Sequence, residues 1–185
     1  MEPPLPGTTA ARWDATYRNG RPPWDIGRPQ PAFIRLADAG EIAERGMEVV
    51  GVDFAPAAVE VARRKAGERG LNVDFRVADA LDLASLGRQF RTVIDSGVFH
   101  TFDDGDRRTY VESLTGVVAP GGVVHLLCFS ELTPGDVGPR RVTQAELREA
   151  FASGWEVQRI EPERFEVSRD FPVHPHAWLA RVVRA

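Results

Sequence analysis

The sequence lacks several features that would point to particular classes of protein. It has a single cysteine, Cys128, so no disulfide can form within the chain. Its 23 Lys and Arg residues form no basic block and are outnumbered by 27 Asp and Glu, which gives a formal net charge of −4 at pH 7. We therefore expect no nucleic-acid partner and no binding to an anionic membrane surface.

Long apolar segments are also missing. No stretch approaches the roughly 18 apolar residues that cross a bilayer, and the N-terminus MEPPLPGTTAAR has neither the basic nor the apolar region of a signal peptide. We expect a cytoplasmic protein. The 185 residues, 43% of them hydrophobic, suffice for one sizeable core. A single domain is expected over residues 1–185, with a flexible lead-in over 1–12.

The pattern that is present is a regular alternation of strand and helix signals. It is typical of a doubly wound, mostly parallel α/β sheet with helices on both faces, and the last two strands are expected to form an antiparallel edge. The predicted strands are 48–53, 73–78, 90–95, 123–128, 155–160 and 177–183. The predicted helices are 12–18, 31–39, 56–70, 106–118 and 143–151.

Three consecutive predicted strands end on or just before an aspartate, namely Asp53, Asp79 and Asp95. In a doubly wound sheet, ligands bind beyond the carboxyl ends of the strands. A carboxylate at that place can accept hydrogen bonds from a ribose diol, which suits both adenosyl and nicotinamide cofactors. The alternative interpretation is that each aspartate is a solvated turn residue or caps a helix, without contacting a ligand.

An ordered set of motifs carries a family resemblance. The motifs are WDATYR at 13–18, PWDIGRPQPAF at 23–33, VVGVDFAP at 49–56, ADALD at 78–82 and VIDSGVFHTF at 93–102. Together they resemble the class I S-adenosylmethionine-dependent methyltransferases, and within these the thiopurine and halide or thiol methyltransferase branch. The resemblance implies a Rossmann-like sheet, S-adenosylmethionine as cofactor, and methyl transfer to a small-molecule thiol, halide, phenol or amine.

The resemblance also implies which residues contact the adenosine part of the cofactor. Asp53 would hold the ribose hydroxyls, with Phe54 beside the adenine. Asp79 and Ala80 would meet the edge of the adenine ring. These four residues follow the first two strands of the expected sheet.

The sulfonium and methionine parts would meet other residues. The backbone around Asp95 and Ser96 would lie near the methionine. Trp13 and Trp24, in a cofactor-covering segment over 13–40, match aromatic residues that wall the cofactor. An indole face within about 6 Å attracts a cation such as a sulfonium. The alternative for both tryptophans is packing of an N-terminal helix onto the sheet.

Several residues that could bind or activate the methyl acceptor follow the predicted strand 90–95, which ends at Asp95. His100 is the best-placed general base, and its alternative is a loop histidine bonded to the backbone. Phe99 and Phe102 would line an apolar acceptor pocket or belong to the core. Arg140 could bind an anionic acceptor, or it could be a solvated loop residue.

The remaining histidines and the cysteine are expected to be structural. His174 and His176 supply only two imidazoles, and a metal site needs three or four ligands, so no metal is expected. His125 lies within a buried predicted strand and is expected to be a core residue. Cys128 is expected to be a small buried hydrophobic residue rather than a nucleophile.

One part of the family pattern is missing. Such methyltransferases have an earlier strand and a Gly-rich turn whose backbone approaches the methionine moiety at a helix N-terminus. About twenty residues of this kind would stand between Ile42 and Ala43, and residues 43–46 look like the tail of the missing helix. Three explanations are open. The natural protein lacks this segment, the segment was deleted from the protein, or the protein has the segment and the sequence as given omits it.

The missing strand would be the central one, between the strands that end at Asp53 and Asp95. Its loss exposes two edges unless these strands pair directly or another chain covers them, for example in a homodimer. Each lost backbone donor to the cofactor carboxylate would cost about 1.5 to 3 kcal/mol of binding. The alternative function is a degenerate, dimeric binding or scaffold protein without cofactor. A nicotinamide oxidoreductase is less well supported, since no G-x-G-x-x-G turn is present.

Overall fold

A computed structural model of the chain describes residues 10–42 and 47–185. Of the predicted lead-in, residues 1–9 lie outside the described residues and residues 10–12 belong to the first helix. The helix tail predicted at 43–46 also lies outside them. The helices are α1 (Ala10–Arg18), α2 (Pro31–Asp38), α3 (Pro56–Glu68), α4 (Asp104–Val117) and α5 (Gln144–Ala150). The strands are β1 (Val50–Asp53), β2 (Asp74–Val77), β3 (Phe90–Ser96), β4 (Val118–Phe129), β5 (Trp155–Arg164) and β6 (His176–Arg184).

The strands form two sheets. One contains the parallel pair β1–β2, and the other has the order β3-β4-β6-β5. β3 and β4 are parallel, whereas β6 is antiparallel to both of its neighbours, β4 and β5. The expected α/β class is therefore confirmed, with the antiparallel strand inside the sheet rather than at its edge.

Two apolar clusters cover the two faces of the four-stranded sheet. Alternate residues of β4 divide between them, because successive side chains of a strand point to opposite faces. Val124 and Leu126 pack towards α4 and α5, while Leu127 and Phe129 pack towards α2. Helices on both faces explain why β4 is almost continuously apolar.

Some local features differ from the sequence prediction. β4 begins at Val118 instead of residue 123, because Val118 already pairs with Phe90 before a register shift. Two short 3₁₀ segments, Ala80–Leu86 and Phe99–Thr101, were not predicted, since they are too short to show helical periodicity. The capping box at the start of α5 is confirmed.

β1 and β3 do not pair with each other in the described part of the chain. The direct pairing that was one way to compensate for the missing strand is therefore not formed. Within residues 10–42 and 47–185, no helix has the length and apolarity that a bilayer crossing requires.

Candidate cofactor site

A cavity of about 300 Å³ lies beside β1 and α3. Gly51 shapes its floor: a side chain at this position would come within 2.5 Å of the Phe75 ring, so glycine is what allows that ring to lie against β1. The cavity is lined by Tyr17, Trp24, Asp25, Gly51, Val52, Asp53, Ala58, Val59, Val61, Ala62, Lys65 and Phe75.

Asp53 supplies the carboxylate of this cavity. It ends β1, and its Oδ1 accepts a hydrogen bond from the Ala55 N–H at 2.8 Å, which orders the turn into α3. Within the described residues, nothing donates to its second oxygen. Burial raises the pKa of the Asp53 carboxyl, and the Ala55 N–H opposes this rise. A half-buried carboxylate with a free oxygen is suited to accept hydrogen bonds from hydroxyl groups.

Aromatic side chains from the N-terminal segment form the facing wall. The Trp24 indole N–H donates to the Tyr17 hydroxyl at 2.9 Å. Trp13 packs edge-to-face on Trp24, with 5.1 Å between ring centroids, and does not itself line the cavity. Lys65 of α3 pairs with Asp25 at 2.6 Å and so holds the loop around Trp24 against α3. The structure thus brings Trp24 and Asp53 together, with Trp13 behind them.

Asp79 and Ala80 lie at the end of the neighbouring strand. The Ala78 N–H donates to the Asp53 carbonyl at 3.1 Å, which joins the ends of β1 and β2. The exposed Asp79 carboxylate accepts from the Leu81 N–H at 2.9 Å and caps the following 3₁₀ segment. Phe54 is half-buried directly after β1. Asp79 therefore has the capping role left open as its alternative, at the same sheet edge as Asp53.

The Asp95 carboxylate points elsewhere. Asp95 is only 1% exposed. Its carboxylate accepts hydrogen bonds from the Val98 N–H at 2.7 Å, from the Phe99 N–H at 3.1 Å and from the Tyr110 hydroxyl at 3.1 Å. The Asp95 carboxylate therefore does not line the cavity beside Asp53, although both residues end strands. The Asp95 carboxylate instead orders the backbone that leads into the 3₁₀ segment Phe99–Thr101, a segment too short to be predicted from the sequence. Ser96, next along β3, is exposed.

The buried Asp95 gives an expected pH dependence of stability. Burial raises its pKa from 3.8 to about 6. Because the folded value exceeds the unfolded one, the contribution of Asp95 to stability is complete below about pH 4 and is lost as the pH rises through 6. The pKa of Asp95 in the folded state is about 2 above its model value of 3.8, which corresponds to about 3 kcal/mol in the free energy of unfolding.

Urea unfolding of the wild type and of Asp95→Asn between pH 4 and 7.5 measures this effect. The free energy of unfolding of the wild type, relative to the variant, should fall by about 2 to 3 kcal/mol over that range. Asparagine does not titrate, so other carboxyl groups cancel in the comparison. A difference that stays constant with pH would contradict the buried, proton-binding Asp95.

His100 is buried, and the Phe129 N–H donates to its Nδ1 at 2.8 Å. Its proton must then lie on Nε2, so the ring offers a donor and has no free lone pair. Burial, reinforced by the positive charges of Arg107 and Arg141, lowers the pKa of His100 to about 3. This geometry does not suit the general base expected from the sequence.

The other expected acceptor residues also lie away from the cavity. Phe99 has no exposed surface and packs in the main core, so it does not line an acceptor pocket. Phe102 is half-buried against Tyr110. Arg140 pairs with Asp104 and Glu146, which neutralises its charge at the surface. His125 and Cys128 are buried in β4, as expected of core residues.

The residues present fit the adenosine part of S-adenosylmethionine. The carboxylate of Asp53 suits a ribose diol, and Trp24, Tyr17 and Phe75 offer aromatic surface to a purine. The cavity volume is at the lower end of the range for small-molecule sites. The described residues show no Gly-rich turn that would bind the amino-acid end.

Comparison with known proteins gives a consistent result. Residues 37–122 match the family model described as "Methyltransferase domain". The chain is 37% identical, over 171 residues, to the 2-heptyl-1-hydroxyquinolin-4(1H)-one methyltransferase of Mycobacteroides abscessus, and the match covers 81% of this chain and 75% of that protein.

Solved structures agree. One is described as "Conversion of a Disulfide Bond into a Thioacetal Group during Echinomycin Biosynthesis". It is 34% identical in sequence with a TM-score of 0.84, and the match covers 95% of this chain and 93% of that chain. A SAM-dependent methyltransferase from Anabaena variabilis, 16% identical, covers 97% of both chains with a TM-score of 0.75. The second likeness confirms the Rossmann-like fold. The comparisons do not favour the scaffold alternative.

Proposed function

The chain belongs to the class I S-adenosylmethionine-dependent methyltransferases, and we propose that it binds S-adenosylmethionine beside Asp53 and Trp24 and transfers the methyl group to a small-molecule nucleophile. The observation that carries this proposal is the free, half-buried Asp53 oxygen in a cavity walled by aromatic rings. S-adenosylmethionine supplies the electrophilic methyl group when bound.

The chain's own residues would divide the binding between them. Asp53 would accept from the ribose hydroxyls, and Phe54, Asp79 and Ala80 would lie around the adenine. Trp24, backed by Trp13, would exclude water from the sulfonium and attract its charge. The backbone of Asp95 and Ser96 would lie towards the methionine end. Since residues 10–42 and 47–185 include no Gly-rich turn at that end, we expect weaker cofactor binding than a site with such a turn would give.

The acceptor is proposed to carry an oxygen or sulfur nucleophile that ionises easily. Two relatives more than 30% identical support an oxygen or a sulfur acceptor: one is named for a hydroxyquinolone, whose hydroxyl can ionise, and the other is described by the conversion of a disulfide bond, whose sulfur atoms carry no proton, into a thioacetal. His100 supports it as well, since its lone pair is occupied by the Phe129 N–H and it cannot take up a proton in this geometry. A thiolate or an acidic hydroxyl needs no base, because it is already ionised near neutral pH. The enzyme would then mainly hold donor and acceptor in line.

A panel of acceptors tests the proposal. The chain is incubated with S-adenosylmethionine and, separately, with 2-heptyl-1-hydroxyquinolin-4(1H)-one, an aryl thiol, a neutral alcohol and a primary amine, and products are identified by mass spectrometry. We expect methylation of the first two, at rates that rise with pH through the pKa of each acceptor. Methylation of the alcohol or the amine would contradict the acceptor class, and no methylation of any acceptor would contradict the function.

A further inference from the structure

His100 carries a hydrogen-bond donor that has no partner in the described part of the chain. Its Nδ1 accepts from the Phe129 N–H, so the proton of the neutral ring lies on Nε2. Nε2 is also not fully enclosed, since the enclosed and unpartnered nitrogens of the described residues belong to Arg107 and His125. A ring that is only 5% exposed therefore keeps one polar N–H open to its surroundings.

The Nε2–H lies beside Gly97, the residue directly after β3. A Cβ atom at Gly97 would come within 3.1 Å of Nε2 and within 3.0 Å of Cζ of Phe165. The φ angle of Gly97 is +82°, a conformation that side chains rarely adopt. Glycine therefore keeps the space in front of the His100 Nε2–H free.

This space lies on the side of the molecule where Trp24 covers the cofactor cavity. The His100 ring packs edge-to-face on Phe129, with 4.8 Å between centroids, and its centroid lies 5.7 Å from that of Phe165. Trp24 lines the cavity and packs against the apolar cluster that contains both phenylalanines. Gly97 directly follows the strand end that is proposed to lie towards the methionine end of the cofactor. A methyl acceptor would therefore lie next to the Nε2–H.

The surroundings of His100 favour an acceptor with negative charge. Arg107 of α4 and Arg141, which follows β4, place positive charges near the ring and, together with burial, lower the pKa of His100 to about 3. Arg107 pairs with Glu146, whereas the described residues offer Arg141 backbone carbonyls and no carboxylate. The ring therefore stays a neutral donor near pH 7 and has no extra proton to give to an anion.

We propose that the Nε2–H of His100 donates a hydrogen bond to an oxyanion of the methyl acceptor, which makes His100 an acceptor-binding residue that favours oxygen over sulfur nucleophiles. This assignment rests on the proposed methyl transfer and deepens it. The acceptor hydroxyl releases its proton to water, and the oxyanion uses one lone pair for the hydrogen bond and keeps another for the attack. Oxygen is favoured because sulfur accepts hydrogen bonds only weakly.

A spectroscopic titration of a bound acceptor tests the proposal. The compound 2-heptyl-1-hydroxyquinolin-4(1H)-one is bound to the chain together with S-adenosylhomocysteine, and its absorbance is followed against pH, because ionisation of the hydroxyl changes the spectrum. We expect His100→Asn to raise the pKa of the bound hydroxyl by about one unit or more, since a hydrogen bond to the anion is lost. The asparagine oxygen can still accept from the Phe129 N–H, so the substitution removes the donor alone.

Two further variants separate hydrogen-bond donation from packing. His100→Gln returns an amide N–H near the position of Nε2 and should bring the pKa of the bound hydroxyl back to within about half a unit of the wild-type value. His174→Asn changes an exposed histidine in the loop before β6 and should leave that pKa unchanged. Calorimetric binding of S-adenosylhomocysteine within about threefold of the wild type shows that each variant is folded.

A comparison of two acceptors in the wild type needs no substitution. The positive charges of Arg107 and Arg141 act on any bound anion, whereas the hydrogen bond from His100 favours oxygen. Binding should therefore lower the pKa of the hydroxyquinolone more than it lowers the pKa of thiophenol, each relative to the free compound. Absence of thiophenol binding would also support the preference for oxygen, and an equal or larger shift for thiophenol would overturn it.

Three other results would overturn the proposal: no binding of the hydroxyquinolone to the wild type, the same pKa of the bound hydroxyl in folded His100→Asn, or an equal rise of that pKa in His100→Gln. The proposed methyl transfer fails separately. Methylation that continues with an unchanged pKa in His100→Asn would contradict the role of His100 alone. A shifted pKa without any methylated product would support donation by His100 and contradict the transfer.

Discussion

The Asp53→Ala variant is expected to bind S-adenosylhomocysteine about 5- to 150-fold more weakly than the wild type, a loss of about 1 to 3 kcal/mol. The reason is the loss of the carboxylate oxygen that faces the cavity without any donor from the described residues. Isothermal titration calorimetry measures the dissociation constants of both proteins.

Asp74→Ala is the matched control. Asp74 is an exposed aspartate at the start of β2, where it pairs with Arg76 at 2.6 Å and lies away from the cavity. Its substitution should change the dissociation constant by less than about twofold. Equal affinities of the wild type and Asp53→Ala would remove Asp53 from the site, and an equal loss in both variants would indicate a general effect of charge.

A second large effect is expected in the core. Phe99→Ala should lower the free energy of unfolding by about 3 to 5 kcal/mol, because it removes a fully buried ring and leaves a cavity. The Phe99 ring stacks on Phe151, with 6.1 Å between centroids, and the Arg107 guanidinium lies 4.8 Å from its centre. Urea unfolding followed by circular dichroism measures the loss.

Phe102→Ala serves as the comparison, because Phe102 follows the same strand but is only half-buried. It should cost clearly less, about 1 to 2 kcal/mol. If Phe99→Ala instead left stability unchanged and raised the KM for a methyl acceptor, Phe99 would line the acceptor pocket and the core assignment would be incorrect.

The sequence was most informative where hydrophobic periodicity and capping signals agree. α2 and α3 begin at the expected prolines, and the capping box starts α5. The ends of β1, β2 and β3 were located within about one residue, whereas β4 begins at Val118 and β5 ends at Arg164, several residues beyond the predicted bounds. These signals were enough to predict the α/β class. The pairing of Asp53 with Trp24 was implied by the family resemblance, and both residues line one cavity in the structure.

The orientation of side chains could not be predicted in the same way. Asp53 and Asp95 both end strands, yet the Asp53 carboxylate faces the cavity and the Asp95 carboxylate lies in the core with Tyr110. That difference depends on Tyr110 in α4, a contact between segments distant in sequence. For His100 the deciding contact is the Phe129 N–H, also distant in sequence. Local patterns give no signal for either one.

Calorimetric titration of the unmodified chain with S-adenosylhomocysteine tests the central claim most directly. We expect saturable binding of one ligand per chain, with a dissociation constant in the micromolar to millimolar range, and an accompanying rise in melting temperature. Absence of both heat and thermal shift at millimolar ligand would contradict a cofactor site beside Asp53 and Trp24.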